Sequence, residues 1–342
     1  MSCIDGMAAL NLEMPPRVPR TEYSAQFHWP LVKAVTGLDE KNWSAEKAFI
    51  KAWDYDLLWN ALIFSGEFGE KRTKMGHAVY AEGGTDFDAD VSNYFSCPEE
   101  VYAFDFDKNF GIANKISITQ RFNDHYCNTC NEVPNVVNMT GVYITCMSGL
   151  IELLGWDMLL ETASDYGRFG DFVSRYAKWI MPYFEALGDC TAPVVMIHDD
   201  IVWTSGPFLH PEWYRKYLFP IYKKLFAPLD GKKIIYTCDG DFTMFVDDIV
   251  DCGVSCFILE PLTDMGYIAE KYGKTHAFVG NVDTRILLTD SKDDIFSEVK
   301  RCMDIGKKCP GFFMAVGNHI PPNTPVDNAL YYNEAYEMLS RR

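Results

Sequence analysis

Five short apolar segments in the second half of the chain each run into polar residues of the kinds that hold metal ions or move protons. Val194–Ile197 leads into His198–Asp199–Asp200, and Ile234–Tyr236 into Cys238–Asp239–Gly240–Asp241. Cys256–Leu259 leads into Glu260–Pro261, Ala277–Val279 into Gly280–Asn281–Val282–Asp283, and Phe312–Val316 into Gly317–Asn318–His319. Cys, His and carboxylate side chains are the ligands of a catalytic zinc ion, which acts as a Lewis acid on a substrate oxygen. Each candidate also has a plainer reading. Cys238 could be a buried bystander thiol, and Asp239 and Asp241 could shape the turn at Gly240 or cap the next helix. Glu260 ends an otherwise apolar run, where a carboxylate is costly unless it is paired or metal-bound. Asn281 and Asp283 are expected to orient substrate or ligands, or else to hydrogen-bond their own loop.

Those segments are rich in Val, Ile and Phe, and each is followed by a helical stretch. Short apolar runs alternating with helices read as buried parallel strands in βα units. Eight such units close into a (β/α)8 barrel, where polar groups at the C-terminal strand ends meet in one mouth. The helices are expected near Leu150–Leu160, Tyr166–Glu185, Pro211–Leu225, Phe242–Asp251, Met265–Lys271, Lys292–Ile305 and Val326–Leu339. Earlier in the chain, residues 1–16 read as an irregular arm and N-terminal extension, Ala45–Phe64 as an aromatic-rich helix, and Val101–Phe106 as a strand. The long polar region Gly66–Asp90, with His77, reads as a lid or partner-facing insertion. Neither a low-complexity linker nor an internal repeat divides the 342 residues, so one domain is expected.

Apolar residues make up 48% of the chain, enough for a sizeable core. The net charge of −17 argues against nucleic acid and against anionic membranes, both of which need a basic surface. No run approaches the roughly 20 apolar residues of a membrane span. A cytoplasmic protein is expected. The eleven cysteines are scattered and odd in number, which favours reduced thiols, and Cys127–Cys130 lacks the second pair that a zinc ribbon needs.

With the strand ends placed, the order of motifs resembles the uroporphyrinogen decarboxylase superfamily. Arg17–Glu22 resembles its opening strand, and Thr140–Gly141–Val142–Tyr143 its Thr-Gly-Pro-Phe strand end, with Val142 in place of Pro. His198–Asp199–Asp200 followed by Ser205–Gly206–Pro207 resembles its Asp-Asp strand and Gly-Pro loop. Gly280–Thr284 and Gly317–Pro322 with Asn328 resemble its last two strand ends. The resemblance implies the barrel fold and two kinds of activity: decarboxylation of porphyrinogens, and methyl transfer with corrinoid proteins. The decarboxylases grip substrate carboxylates with an N-terminal Arg-rich segment, whereas Arg17–Gln26 supplies only two arginines. The thiol-methylating branch holds zinc by His-x-Cys and a distant Cys. The corresponding positions here are Tyr236, Cys238 and Asn318, so that pattern is not intact.

The remaining branch resembles O-demethylases with oxygen-richer ligand sets. That resemblance implies a methyltransferase moving a methyl group from a methoxylated, aromatic compound to the cobalt of a corrinoid carried by a partner protein. A zinc ion held by Cys238, Asp239, Glu260 and His319 is expected to activate the ether oxygen. Asp199, Asp200, Tyr236 and Asn281 are expected to act around it, with His198–Asp199–Asp200 supporting the ligands rather than binding the ion. Tyr143, Trp156, Trp203, Phe208 and Tyr236 are expected to line an aromatic pocket. Two alternatives stay open: a decarboxylase of a porphyrinogen-like substrate, and a non-catalytic barrel that binds a corrinoid or tetrapyrrole.

Overall fold

The computed structural model describes residues 2–74, 78–81, 84–87, 93–289 and 291–342, with backbone alone at 78–81 and 84–87. His77 and residues 75–76, 82–83 and 88–90 of the expected lid lie outside the described residues.

Six parallel strands form one sheet: Thr140–Val142, Val194–His198, Lys233–Thr237, Cys256–Ile258, Ala277–Val279 and Phe312–Phe313. Each pairs in parallel with its neighbour in sequence, as right-handed βα crossovers require. Two extended segments complete the ring. One passes through Arg20, which bridges Met314 beyond the last strand. The other runs past Leu57, which bridges Val137, to Ile63, which bridges Val142. The Asp56 N–H donates to the Arg20 carbonyl at 2.9 Å and joins the two. Eight staves therefore close a (β/α)8 barrel.

Side chains alternate along each strand, and the alternation sorts the core into two layers. Val194, Met196, Ile235, Cys256, Ile258, Ala277, Val279, Phe313 and Ala315 fill the barrel interior. Val195, Ile197, Tyr236, Phe257, Phe278 and Phe312 face the surrounding helices. The helices include Cys146–Ala163, Tyr166–Asp189, Lys292–Gly306 and Val326–Leu339, close to their expected positions.

Three expectations about the first half are corrected. Residues 1–16 are not an irregular arm, because Cys3–Leu10 is a helix capped by the Ser2 hydroxyl. Its Ala9 and Leu10 join the interior layer, so the helix plugs the barrel floor. Gly6 makes the approach possible, since a Cβ there would lie 2.4 Å from the Asp56 carbonyl. The aromatic helix is shorter than expected, Trp43–Ala52. It stops before Asp54, whose φ is +56°, and the chain then extends because Leu57 and Ala61 fill the interior. Val101–Phe106 is not a strand. Pro98 starts a short helix, Pro98–Tyr102, and Phe106 stacks on Phe172 and Trp179 of the long helix. Cys127 and Cys130 sit on the helix Lys115–Glu132, and all eleven cysteines are free.

The chain ends meet. Arg17 and Arg341 form an antiparallel bridge, and Val18 N–H donates to the Ser340 carbonyl at 2.9 Å. No described helix is long and apolar enough to cross a membrane.

Candidate functional site

Strand alternation decides which strand-end residues reach the mouth. On the strand Val194–His198, the inward positions Val194 and Met196 are followed by His198 and then Asp200. On Lys233–Thr237, inward Ile235 is followed by Thr237 and then Asp239. His198, Asp200 and Asp239 can bring one ligand atom each within 4.8 Å of one another. His198 Nε2 lies 3.3 Å from Asp200 Oδ1, and that carboxylate also accepts the Asp239 N–H at 2.9 Å. From inward Cys256 and Ile258 the same count reaches Glu260, which accepts the Gly240 N–H at 2.7 Å and bonds to the Asn318 amide. Gly240 is required there. Its φ is +85°, and a Cβ would lie 2.3 Å from the Trp203 carbonyl.

The outward residues do other work. The Asp199 carboxylate is buried among the helices, where it accepts the Ser148 N–H at 2.6 Å and the Tyr222 hydroxyl. Thr145 gives the helix Cys146–Ala163 no side-chain cap, so Asp199 takes that part. Burial pushes Asp199 up to about 7. Tyr236 is also buried outward, and its hydroxyl donates to the Asp199 carbonyl at 3.0 Å. Cys238 is 1% exposed, and burial, then the Asp200 charge, hold its thiol well above its ordinary value. Its sulfur does not belong to the cluster of ligand atoms that His198, Asp200 and Asp239 form.

Of the four residues expected to hold metal, only Asp239 belongs to the three-residue cluster. Glu260 borders it, and its charge raises both Asp200 and Asp239. His319 Nδ1 instead meets Ser24 Oγ at 2.6 Å, and burial lowers that imidazole to about 4. Asn281 is occupied: its amide donates to the Glu260 and Thr263 carbonyls at 3.1 and 3.2 Å, and its oxygen accepts from Arg301. It fixes the backbone that carries Glu260. His198, expected only to support the ligands, points into the mouth, and its ring stacks on Tyr143 with centroids 3.8 Å apart and planes 7° apart.

The cluster concentrates carboxylates in little water. Burial pushes Asp200 up to about 7, with Glu260 adding to the rise. Asp239 opens onto the cleft, yet the protein around it removes enough water to raise it well above the usual carboxylate range. Among the described residues, no lysine or arginine makes an ion pair with either acid; His198 faces Asp200. One imidazole and two carboxylates converging without a cation suit a divalent metal with open positions.

Beside the cluster lies a cavity of about 680 Å³ lined by Tyr23, Phe27, Trp29, Trp59, His319 and Ile320, among others. Trp59 meets Tyr143 edge-on, so the cavity wall runs into the His198 stack. None of the expected pocket aromatics lines this cavity; Tyr143 comes nearest, packed against its lining residue Trp59. Trp156, Trp203 and Phe208 pack on one another, while Tyr23 and Trp59 gave no strand-end signal.

The two N-terminal arginines are engaged elsewhere. Arg17 pairs with Asp54 and Asp56. Arg20 is fully buried, paired to Glu22 at 3.1 Å and lying over the rings of Trp53 and Tyr336. Lys41 is the one charged side chain among the described residues that line the cavity.

The fold is that of a known class of barrel proteins. The chain belongs to the uroporphyrinogen decarboxylase (URO-D) family, whose pattern matches residues 131–338. Uroporphyrinogen decarboxylases of Geobacter sulfurreducens and Geotalea uraniireducens are 29% and 31% identical over 164 residues, 47% of this chain and 46% of each relative. The chain thus spans about half the length of the curated relatives it matches. A methyltransferase from Methanosarcina mazei shares the fold with a TM-score of 0.65 at 16% identity, over 98% of this chain and 97% of that one.

Proposed function

We propose that this protein is a methyltransferase that moves a methyl group from a methoxylated aromatic compound to the cobalt of a corrinoid carried by a partner protein. The observation that carries the reading is the cluster of His198, Asp200 and Asp239 beside an aromatic-walled cavity that offers no arginine. A porphyrinogen decarboxylase must receive several substrate carboxylates. Here both N-terminal arginines are bound to acids of the protein, and the mouth itself is acidic. A non-catalytic barrel has no need to gather unneutralised acids around an inward imidazole.

The residues suggest a division of labour. Tyr23, Trp29 and Trp59 would hold the aromatic ring by stacking and by excluding water. His198, Asp200 and Asp239 would hold a divalent ion, zinc in the first instance, with Glu260 next to it. When bound, such an ion lowers the cost of negative charge on the departing ether oxygen. The methyl carbon breaks its bond to oxygen and bonds to the reduced cobalt, whose electron pair forms the new bond. The oxygen keeps the old pair and leaves as a phenolate. With Asp200 holding the ion, the proton that turns this phenolate into a phenol comes from solvent. Asn281 and Asn318 keep Glu260 in place. The corrinoid partner must approach over the open C-terminal face.

The test mixes purified protein, a reduced corrinoid protein and a series of aryl methyl ethers, methanol and methylamines, and follows the visible spectrum of the corrinoid. Methyl-cobalt and free phenol are expected with the aryl ethers. Methylation by methanol or amines alone would discard the substrate class. No methylation from any donor, with carbon dioxide release from a porphyrinogen, would replace this reading by the decarboxylase.

A further inference from the structure

The hydrogen bonds of the His198 ring and of its neighbour Ser148 form a unit. His198 Nδ1 lies 3.2 Å from Ser148 Oγ, and Nε2 lies 3.3 Å from Asp200 Oδ1. The same Ser148 Oγ accepts the Asp200 backbone N–H at 2.7 Å. One hydroxyl therefore touches both halves of the His198–Asp200 pair. Ser148 sits in the first turn of the helix Cys146–Ala163, and its own N–H is tied to Asp199, so the hydroxyl cannot drift. Tyr143 fixes the plane of the ring from one face.

A neutral imidazole has one N–H and one lone pair. With the proton on Nε2, the ring donates to Asp200, and Ser148 donates its hydroxyl proton to Nδ1. With the proton on Nδ1, Ser148 becomes the acceptor and still has a lone pair for the Asp200 N–H. The Nε2 lone pair then faces a carboxylate oxygen across 3.3 Å, which is repulsive unless a cation lies between them. A hydroxyl can serve both states because it rotates and both donates and accepts. An alanine there leaves the ring's bond to the Tyr143 backbone carbonyl, which can accept but cannot donate and so serves only one of the two states.

We infer that His198 is a metal ligand through Nε2, and that Ser148 is the positioning residue that lets its ring change tautomer when the ion arrives. The inference deepens the reading above, since it rests on the mouth being a metal site. Binding moves one proton from Nε2 to Nδ1 through solvent, so the ring stays neutral. The partner on Nδ1 then orients the ring and raises its basicity, as such partners do in known metal sites.

Two measurements on the full-length protein test this, neither of them needing turnover. The first is imidazole nitrogen NMR of histidine-labelled protein, before and after one equivalent of zinc. The His198 signal, assigned by its loss in His198→Gln, is expected to change from the Nε2–H to the Nδ1–H pattern. The second is titration with cobalt(II) and zinc, read by visible absorption and calorimetry. Ser148→Ala is expected to lower affinity about 10–100-fold with its melting temperature near wild type, and Ser148→Cys to recover part of it. An unchanged His198 tautomer with zinc bound, or full affinity in Ser148→Ala, overturns the inference. If His198→Gln does not fold, the Ser148 variants and the wild-type spectrum still decide. Binding that survives in Ser148→Ala but is lost in a Cys238 or His319 variant would move the metal and leave the methyl-transfer reading standing. A metal bound as expected, with no methyl transfer from any donor, would do the reverse.

Discussion

At the scale of single residues, Asp239 and Cys238 are neighbours with opposite environments. Asp239 faces the mouth, and Cys238 is turned into the helix layer, where burial raises its thiol. Asp239→Asn is expected to reduce bound divalent metal well below one equivalent, while Cys238→Ala leaves the stoichiometry unchanged. Metal analysis of the purified variants checks both. His319 makes a different prediction. Burial lowers its pKa from 6.5 to about 4, so between those values the unfolded chain binds a proton that the folded one refuses. The stability this residue gives is complete above pH 6.5 and is lost as the pH falls toward 4. The loss is at most about 3 kcal/mol. Urea unfolding at several pH values should show His319→Asn with a flatter acid limb than wild type. Equal slopes would show that His319 does not titrate this way.

At the scale of elements, the strands from Val194 to Phe313 were legible because each is a brief Val, Ile and Phe run followed by a helix. The first stave was read only through the resemblance of Arg17–Glu22 to an opening strand, and the second was not read at all. Arg20 and Leu57 sit in mixed polar and aromatic stretches that pair through isolated bridges rather than long ladders. The helix at Cys3–Leu10 was hidden because its eight residues are too few for a clear period and its role as a floor plug is tertiary. In the site, residue types at strand ends marked a neighbourhood but did not say which side chains the strands bring together. Counting by twos from Ile235 and Met196 selects Asp239, His198 and Asp200 and sets aside Tyr236, Cys238 and Asp199. That signal was present in the sequence. It needed the inward face of each strand, which only the neighbouring strands define. The turn after Lys233–Thr237 carries its own test. Gly240→Ala forces a side chain against the Trp203 carbonyl and displaces the N–H that Glu260 accepts. Destabilisation of about 1–3 kcal/mol and weaker metal binding are expected, measured by urea unfolding and cobalt(II) titration.

At the scale of the whole molecule, the barrel is sealed by one buried charge cluster. Arg20 binds Glu22 and the Asn333 side chain, and Glu22 accepts the Tyr332 hydroxyl at 2.6 Å and the Val316 N–H at 3.0 Å. First stave, last stave and C-terminal helix meet there. Arg20→Met strands a buried carboxylate and is expected to cost about 3–5 kcal/mol. Denaturant unfolding measures it, and a loss below about 1 kcal/mol would mean that the cluster contributes no more than a surface pair. The bridge between Arg17 and Arg341 has a practical side. The first stave runs upward from Arg17 to Glu22, so both chain ends leave the barrel at its floor, opposite the mouth. A peptide tag or surface anchor at either end would hold every molecule with its opening turned to the solution. A sensor chip loaded in this way would present the cleft to any corrinoid protein flowed past it, and new ends cut elsewhere should be tolerated if Ser2 and Arg342 were joined by a linker that keeps the helix Cys3–Leu10 in place.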